Sequence, residues 1–302
     1  MGRPEVWARR AGLFRTPIAH YWSGIPNLPS MKSSLSPTEQ PGQWDRLEDM
    51  AAVEITAAMA ACDREATEAV EALSKEIAAA IECAAALVAK GGRIFYLGAG
   101  TSGRLGVLDA SEIPPTFGVE GRFIGLIAGG DGAIRKAVEG AEDDAAGGVQ
   151  DLERHGANPA DVIVGIAASG RTPYVIGAMQ WASQKGIATV GITSNPDGAL
   201  ASAVDMPLVA RTGPEFVTGS TRLKAGTAQK LILNQLSTGI MIQCGHVQGN
   251  RMIDMKPANE KLVDRGARMV AEALNLPMDR ALQLLTEFGS VRKAIDNFKD
   301  QN

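Results

Sequence analysis

The chain has 302 residues, 45% of them hydrophobic, a formal net charge of -4, three histidines and three cysteines. That length can bury a substantial core, and the composition excludes a disordered chain. No long basic patch invites nucleic acid. The scattered Cys62, Cys83 and Cys244 form no disulfide framework or zinc spacing, and no apolar run is long enough to cross a membrane. The expectation is a cytoplasmic protein without a metal or cofactor.

Residues 1–30 carry Arg3, Arg9, Arg10 and Arg15 against a single acid, Glu5. A transit peptide has this composition, but no apolar core or cleavage signal follows, so an upstream start ahead of Met31 is the preferred reading. Residues 31–44 are polar, contain proline and read as irregular. From Asp45 to Lys90 the chain is rich in Ala and Glu, lacks Pro and Gly, and repeats apolar residues at Val70, Leu73, Ile77 and Ile81. This spacing predicts one or two long helices, ended by Gly91-Gly92.

Five short apolar runs follow: Arg93–Leu97, Phe123–Ala128, Val162–Ala167, Ala188–Thr193 and Met206–Ala210. Each suits a buried parallel strand. Helical stretches at Ala133–Ala146 and Tyr174–Lys185 lie between them, a longer one spans Thr227–Cys244, and Asn259–Lys299 reads as a small helical appendage. Alternation at this spacing predicts an α/β fold with a doubly wound parallel sheet.

Ligands of such sheets bind at the carboxyl ends of the strands. Two of these ends echo each other, Gly98-Ala-Gly-Thr101-Ser102-Gly103-Arg104 and Ala167-Ala-Ser169-Gly170-Arg171-Thr172. Small residues, hydroxyls and backbone N–H groups where a helix begins make a phosphate cradle; ordinary tight βα turns would look similar. Gly98, Gly100 and Gly103 also match the dinucleotide fingerprint, but the next strand ends Leu126-Ile-Ala-Gly-Gly130 without the acid a ribose needs. A third polar segment, Gly213 to Ala228, offers Ser220, Thr221, Arg222 and Lys224 ahead of the long helix, or else is a capped helix start with a solvated face.

Two acidic groups stand out. Glu112 precedes Pro114-Pro115, which predicts that it lies at a helix end or in a loop. Glu139, Glu142 and Asp143 would be neighbours on a helix. Such a cluster also suits a plain solvated face. Two carboxylates converging on a phosphosugar would serve proton abstraction beside a carbonyl and protonation of a leaving group.

Four segments together, residues 92–112, 137–143, 165–176 and 213–230, resemble the N-acetylmuramic acid 6-phosphate etherases, and the last resembles a signature shared with glucokinase regulatory proteins. The resemblance implies a sugar-isomerase fold, a homodimer and cleavage of the lactyl ether of N-acetylmuramic acid 6-phosphate, with no metal. Together with the composition and periodicity above, this divides the chain into an irregular extension over residues 1–44, N-terminal helices over 45–90, a sugar-isomerase domain over 84–247 and a helical region over 257–302. Carried over by motif, the acid falls on Glu112 and the second carboxylate, the base, on Glu142. The acid then needs burial to stay protonated near neutral pH. Substrate contacts are expected from Thr101, Ser102, Gly103, Ser169, Gly170, Arg171, Thr172, Ser220, Arg222 and Lys224. An aldose–ketose isomerase and a non-catalytic phosphosugar sensor are the alternatives. The segment after Thr38-Glu39, Gln-Pro-Gly-Gln-Trp, departs from the family's usual Asn-containing stretch.

Overall fold

The computed structural model describes residues 35–257 and 259–300. The readings of residues 1–30 and of Met31 as a start lie outside the described residues.

The Ala-rich segment folds as two helices, α1 (Ala52–Glu71) and α2 (Ser74–Ala89), separated by a break at Ala72-Leu73. Five strands then form one parallel sheet: β1 (Ile94–Gly98), β2 (Phe123–Ile127), β3 (Val162–Ile166), β4 (Ala188–Thr193) and β5 (Met206–Val209), in the order β2-β1-β3-β4-β5. Alternate residues of the strands feed two cores. Ile94, Tyr96, Val164 and Ile192 pack against α1, α2, α3 (Gly100–Phe117) and α8 (Lys224–Gln243). Phe95, Leu97 and Ile163 pack against α5 (Ala145–Arg154) and α6 (Pro173–Gln184). Both faces are covered, as continuous apolar strands require.

The chain winds from β1 to one side and returns to place β3 on the other, so the winding reverses between β1 and β3. The crevice at that reversal is where such sheets hold ligands. Helix α3 presses close to β1 there, because a Cβ on Gly103 would come within 2.6 Å of the Gly98 carbonyl oxygen.

Two expectations need correction. Helix α3 runs through Pro114 and Pro115 to Phe117, so Glu112 lies on helical backbone and not at a break. The prolines fall in the last turn, where Ile113 and Phe117, one turn apart, are both buried. That packing holds the turn despite two missing N–H groups. Nor is Ala133–Ala146 one helix. It is a single turn, α4 (Gly132–Arg135), then a loop, a short turn at Ala141–Asp143, and α5. Gly140 at φ 74° breaks it, and Asp144 starts α5 afresh by accepting N–H bonds from Ala146 and Gly147.

Beyond α8, a two-stranded hairpin, β6 (Val247–Gln248) and β7 (Arg251–Met252), leads to three helices, α9 (Glu260–Leu274), α10 (Met278–Phe288) and α11 (Val291–Asp300), around their own apolar cluster. Arg292 of α11 forks onto Asp254 with two 2.7 Å bonds, and His246 Nδ1 joins the same carboxylate at 2.8 Å. Helix α7 (Ala199–Ser202) is one turn between β4 and β5.

Candidate functional site

At the β1–β3 reversal, α3 and α6 both begin. Neither has a side chain capping its first turn, although Thr172 occupies the N-cap position of α6. Three other helix starts are closed by side chains, α5 by Asp144, α9 by Asn259 and α8 by Glu215. The free N–H groups of α3 and α6 are therefore open to an anion. The second loop is held from below by Asn195, whose amide donates to Ser169 O at 3.0 Å, and by Thr193, whose hydroxyl donates to Ala168 O at 3.2 Å. Ser169 Oγ accepts from Arg171 N–H at 3.3 Å, which leaves its own proton for a ligand. Gly170 is buried, Thr101 and Thr172 are half-buried, and Arg171 is exposed. Ser102 is buried and donates to Gln229 Oε1 on α8 at 2.9 Å. Its hydroxyl proton is thus spent inside the protein, and Gln229 Nε2 is left buried without a partner.

The loop after β2 forms the facing wall. Gly100, Arg104, Val138, Glu139 and Glu142 line a cavity of about 170 Å³. The acidic segment therefore does meet the α3 N-terminus, by way of an irregular loop and not a helix face. Ligand pockets usually hold roughly 300–1,000 Å³, so this cleft by itself encloses only part of a sugar phosphate. Glu112 is not among its walls. It lies 12 positions along α3 from Gly100, about 18 Å at the helical rise, and it is exposed. The burial expected for the acid is absent from the single chain.

The third segment is placed differently from expectation. Glu215, 1% exposed, accepts the N–H of Lys224 at 2.8 Å and of Ala225 at 3.0 Å, so the start of α8 has no free donors there for a ligand. Burial pushes the Glu215 carboxyl up, against those two bonds, which pull it down. Lys224, expected to reach a substrate, is buried and bound to Glu65 of α1. Ser220 and Thr221 are half-buried in the preceding loop, and Arg222 is exposed. That loop is strapped by the N-terminal segment, since Gly219 N–H donates to the carbonyl of buried Thr38 at 3.1 Å.

Gln229 and Glu215 escaped the sequence reading as working parts of this region. The available signal for Gln229 was a polar residue on the inward face of a helix otherwise lined by Ala225, Ala228, Ile232 and Leu236. For Glu215 it was an acid nine residues ahead of a helix start, which spacing rules do not recognise.

Comparison with known proteins bears on the fold and the family. Residues 76–183 match the glucokinase regulatory protein N-terminal SIS domain, and residues 146–238 match the SIS domain. An N-acetylmuramic acid 6-phosphate etherase of Bacteroides thetaiotaomicron is 52% identical over 88% of this chain and 96% of its own length. One of Serratia proteamaculans is 54% identical over 82% of this chain and 84% of its own. The phosphoheptose isomerase structure from Francisella tularensis superposes with a TM-score of 0.50 at 21% identity, covering 64% of this chain and 100% of that one. At that identity the likeness speaks for the fold alone.

Proposed function

The chain belongs to the N-acetylmuramic acid 6-phosphate etherases, and from that premise we propose that Glu142 and Glu112 divide the proton transfers of its reaction. The protein is a carbon–oxygen lyase that cleaves the ether bond of N-acetylmuramic acid 6-phosphate. In the proposed sequence the phosphate rests on the uncapped starts of α3 and α6, with the Ser169 and Thr172 hydroxyls beside it. Holding the phosphate there positions C2 and C3 of the open-chain sugar. Glu142 removes the C2 proton, which the C1 aldehyde makes acidic. The electron pair forms a C2–C3 double bond as the C3–O bond breaks, and Glu112 protonates the departing lactate oxygen. Water then adds at C3 and a proton returns to C2, giving N-acetylglucosamine 6-phosphate and D-lactate. This reading needs no metal or cofactor, and the setting is the cytoplasm.

The observation that carries the reading is the uncapped start of α3 facing a wall that bears Glu142, with the uncapped start of α6 at the same reversal of the sheet. The position of Glu112 supports a homodimer in which each subunit's Glu112 serves the other's cleft. Leu108, one turn before it, is 54% exposed, and Val53 and Met59 of α1 also stand out to solvent. A second copy would cover these apolar side chains and bury the acid. Incubation with N-acetylmuramic acid 6-phosphate should release D-lactate in step with substrate loss. Binding without lactate, or interconversion of aldose and ketose instead, would overturn the reading.

A further inference from the structure

In its Thr-Ser-Gly-Arg turn, Arg104 has the sequence context of an anion ligand. Its donors are engaged elsewhere. Nε–H bonds Ile134 O at 2.8 Å and Nη2 bonds Ala133 O at 2.7 Å. Both acceptors belong to α4, a four-residue turn with no side-chain cap at its start. One turn of helix does not hold itself together in water. The segment is also hinged at both ends, by Gly129 and Gly130 at φ 87° and 72° and by Gly140 at 74°. Between those hinges and just past them lie Val138, Glu139 and Glu142, the cavity wall. The other side of the cavity is Gly100 and Arg104 itself, on α3. A planar fork joins the two sides, and a lysine cannot reproduce it.

We propose that Arg104 is a positioning residue that pins the 133–142 wall to α3 and thereby fixes where Glu142 stands over a ligand held at the α3 N-terminus. The link to catalysis rests on the role given to Glu142 above; the tether itself does not. Hydrogen exchange on the full chain reads the tether directly. In Arg104→Met and Arg104→Lys, amides of residues 131–143 should exchange at least about tenfold faster, with the strands unchanged. Kinetics reads its purpose. Both variants should lose roughly 10²-fold in kcat for lactate release with KM held within about threefold, and C2 deuterium uptake should fall by the same factor. Unchanged exchange over 131–143 overturns the tether. A raised KM at intact kcat in Arg104→Met, spared in Arg104→Lys, makes Arg104 an anion ligand and overturns the positioning role. If the unaltered protein released no lactate, the reaction assigned above would fail, while the exchange comparison would still decide whether Arg104 holds the wall.

Discussion

Lys224 Nζ lies 2.5 Å from Glu65 Oε2, joining the first turn of α8 to the middle of α1, with the lysine side chain 3% exposed and the glutamate 43%. The pair is half wet, so its direct attraction is modest. Losing the glutamate is a different matter, because it leaves a buried ammonium without its ion-pair partner. Glu65→Ala should therefore destabilise by about 1–3 kcal/mol, read by urea unfolding. Lys224→Met, of similar length and without charge, should cost less than Glu65→Ala and leave substrate affinity within a few fold. Loss of affinity at full stability in Lys224→Met would return this lysine to the substrate.

The two carboxylates can be separated in heavy water, since C2 proton abstraction precedes ether cleavage. Glu142→Gln should abolish both deuterium uptake at C2 and lactate release. Glu112→Gln should block lactate release while some exchange survives. Each loss should be roughly 10²–10⁴-fold. The reverse pattern would swap the roles, and near-normal release from both would return the acids to a solvated surface.

The same two variants test whether the site is shared between copies. If Glu112 and Glu142 act from different subunits, a mixed dimer of Glu112→Gln and Glu142→Gln contains one intact site. Randomly mixed subunits should then recover about a quarter of full activity. Acids acting within one subunit give no recovery, and a fully active monomer by light scattering rules out the shared site.

Phosphate binding should respond to the second loop. Ser169→Ala and Thr172→Ala should each weaken substrate by on the order of 1 kcal/mol, about fivefold by titration. The melting temperature should barely move, since neither hydroxyl donates a bond on which the loop depends; Asn195 and Thr193 hold it instead. Unchanged affinity would move the phosphate to another loop.

Asp109, on the inner face of α3, accepts from Asn234 at 2.7 Å and from Ser237 at 3.3 Å, while its Oδ2 and the nearby Tyr96 hydroxyl have no well-formed partner. Burial raises this carboxyl above its usual range, against the bonds from Asn234 and Ser237. A carboxyl that holds its proton more tightly when folded costs stability as pH climbs through the usual carboxylate value toward the raised one, and the cost is full above it. Asp109→Asn should thus stabilise at pH 8 by on the order of 1 kcal/mol, with the gain shrinking toward about pH 4. An equal effect at both pH values would show that the charge is not the cause.

The five strands were legible because each is a short apolar run, the central ones buried on both faces, and their ends shifted by only a residue or so. Both βα turns were legible from glycine and hydroxyl spacing. The acidic segment was misread as a helix because its polar residues have helical spacing, while the deciding features were Gly140 at positive φ and the Asp144 cap. Pairings distant in the chain left no local trace. Lys224 and Glu65 are 159 residues apart and Ser102 and Gln229 are 127 apart, and nothing in either neighbourhood names the other. Glu112 illustrates a further limit, since its motif marks the residue while its exposed place on α3, away from the wall that bears Glu142, is set only by the folded chain.

The Arg292 fork on Asp254 has a consequence for how the protein is made and broken. Arg292 also donates to Gly245 O at 2.5 Å, so one side chain near the end of the chain holds the turn that follows α8. During synthesis the parallel sheet and its covering helices emerge before this residue, and Asp254 and His246 wait without the guanidinium. A protease that trimmed α11 would remove the same fork together with Val291, Ala294 and Ile295, baring Met269, Leu284 and Leu285 to water. Loss of α11 would thus leave the βα loops of the sheet untouched and make the remainder sticky.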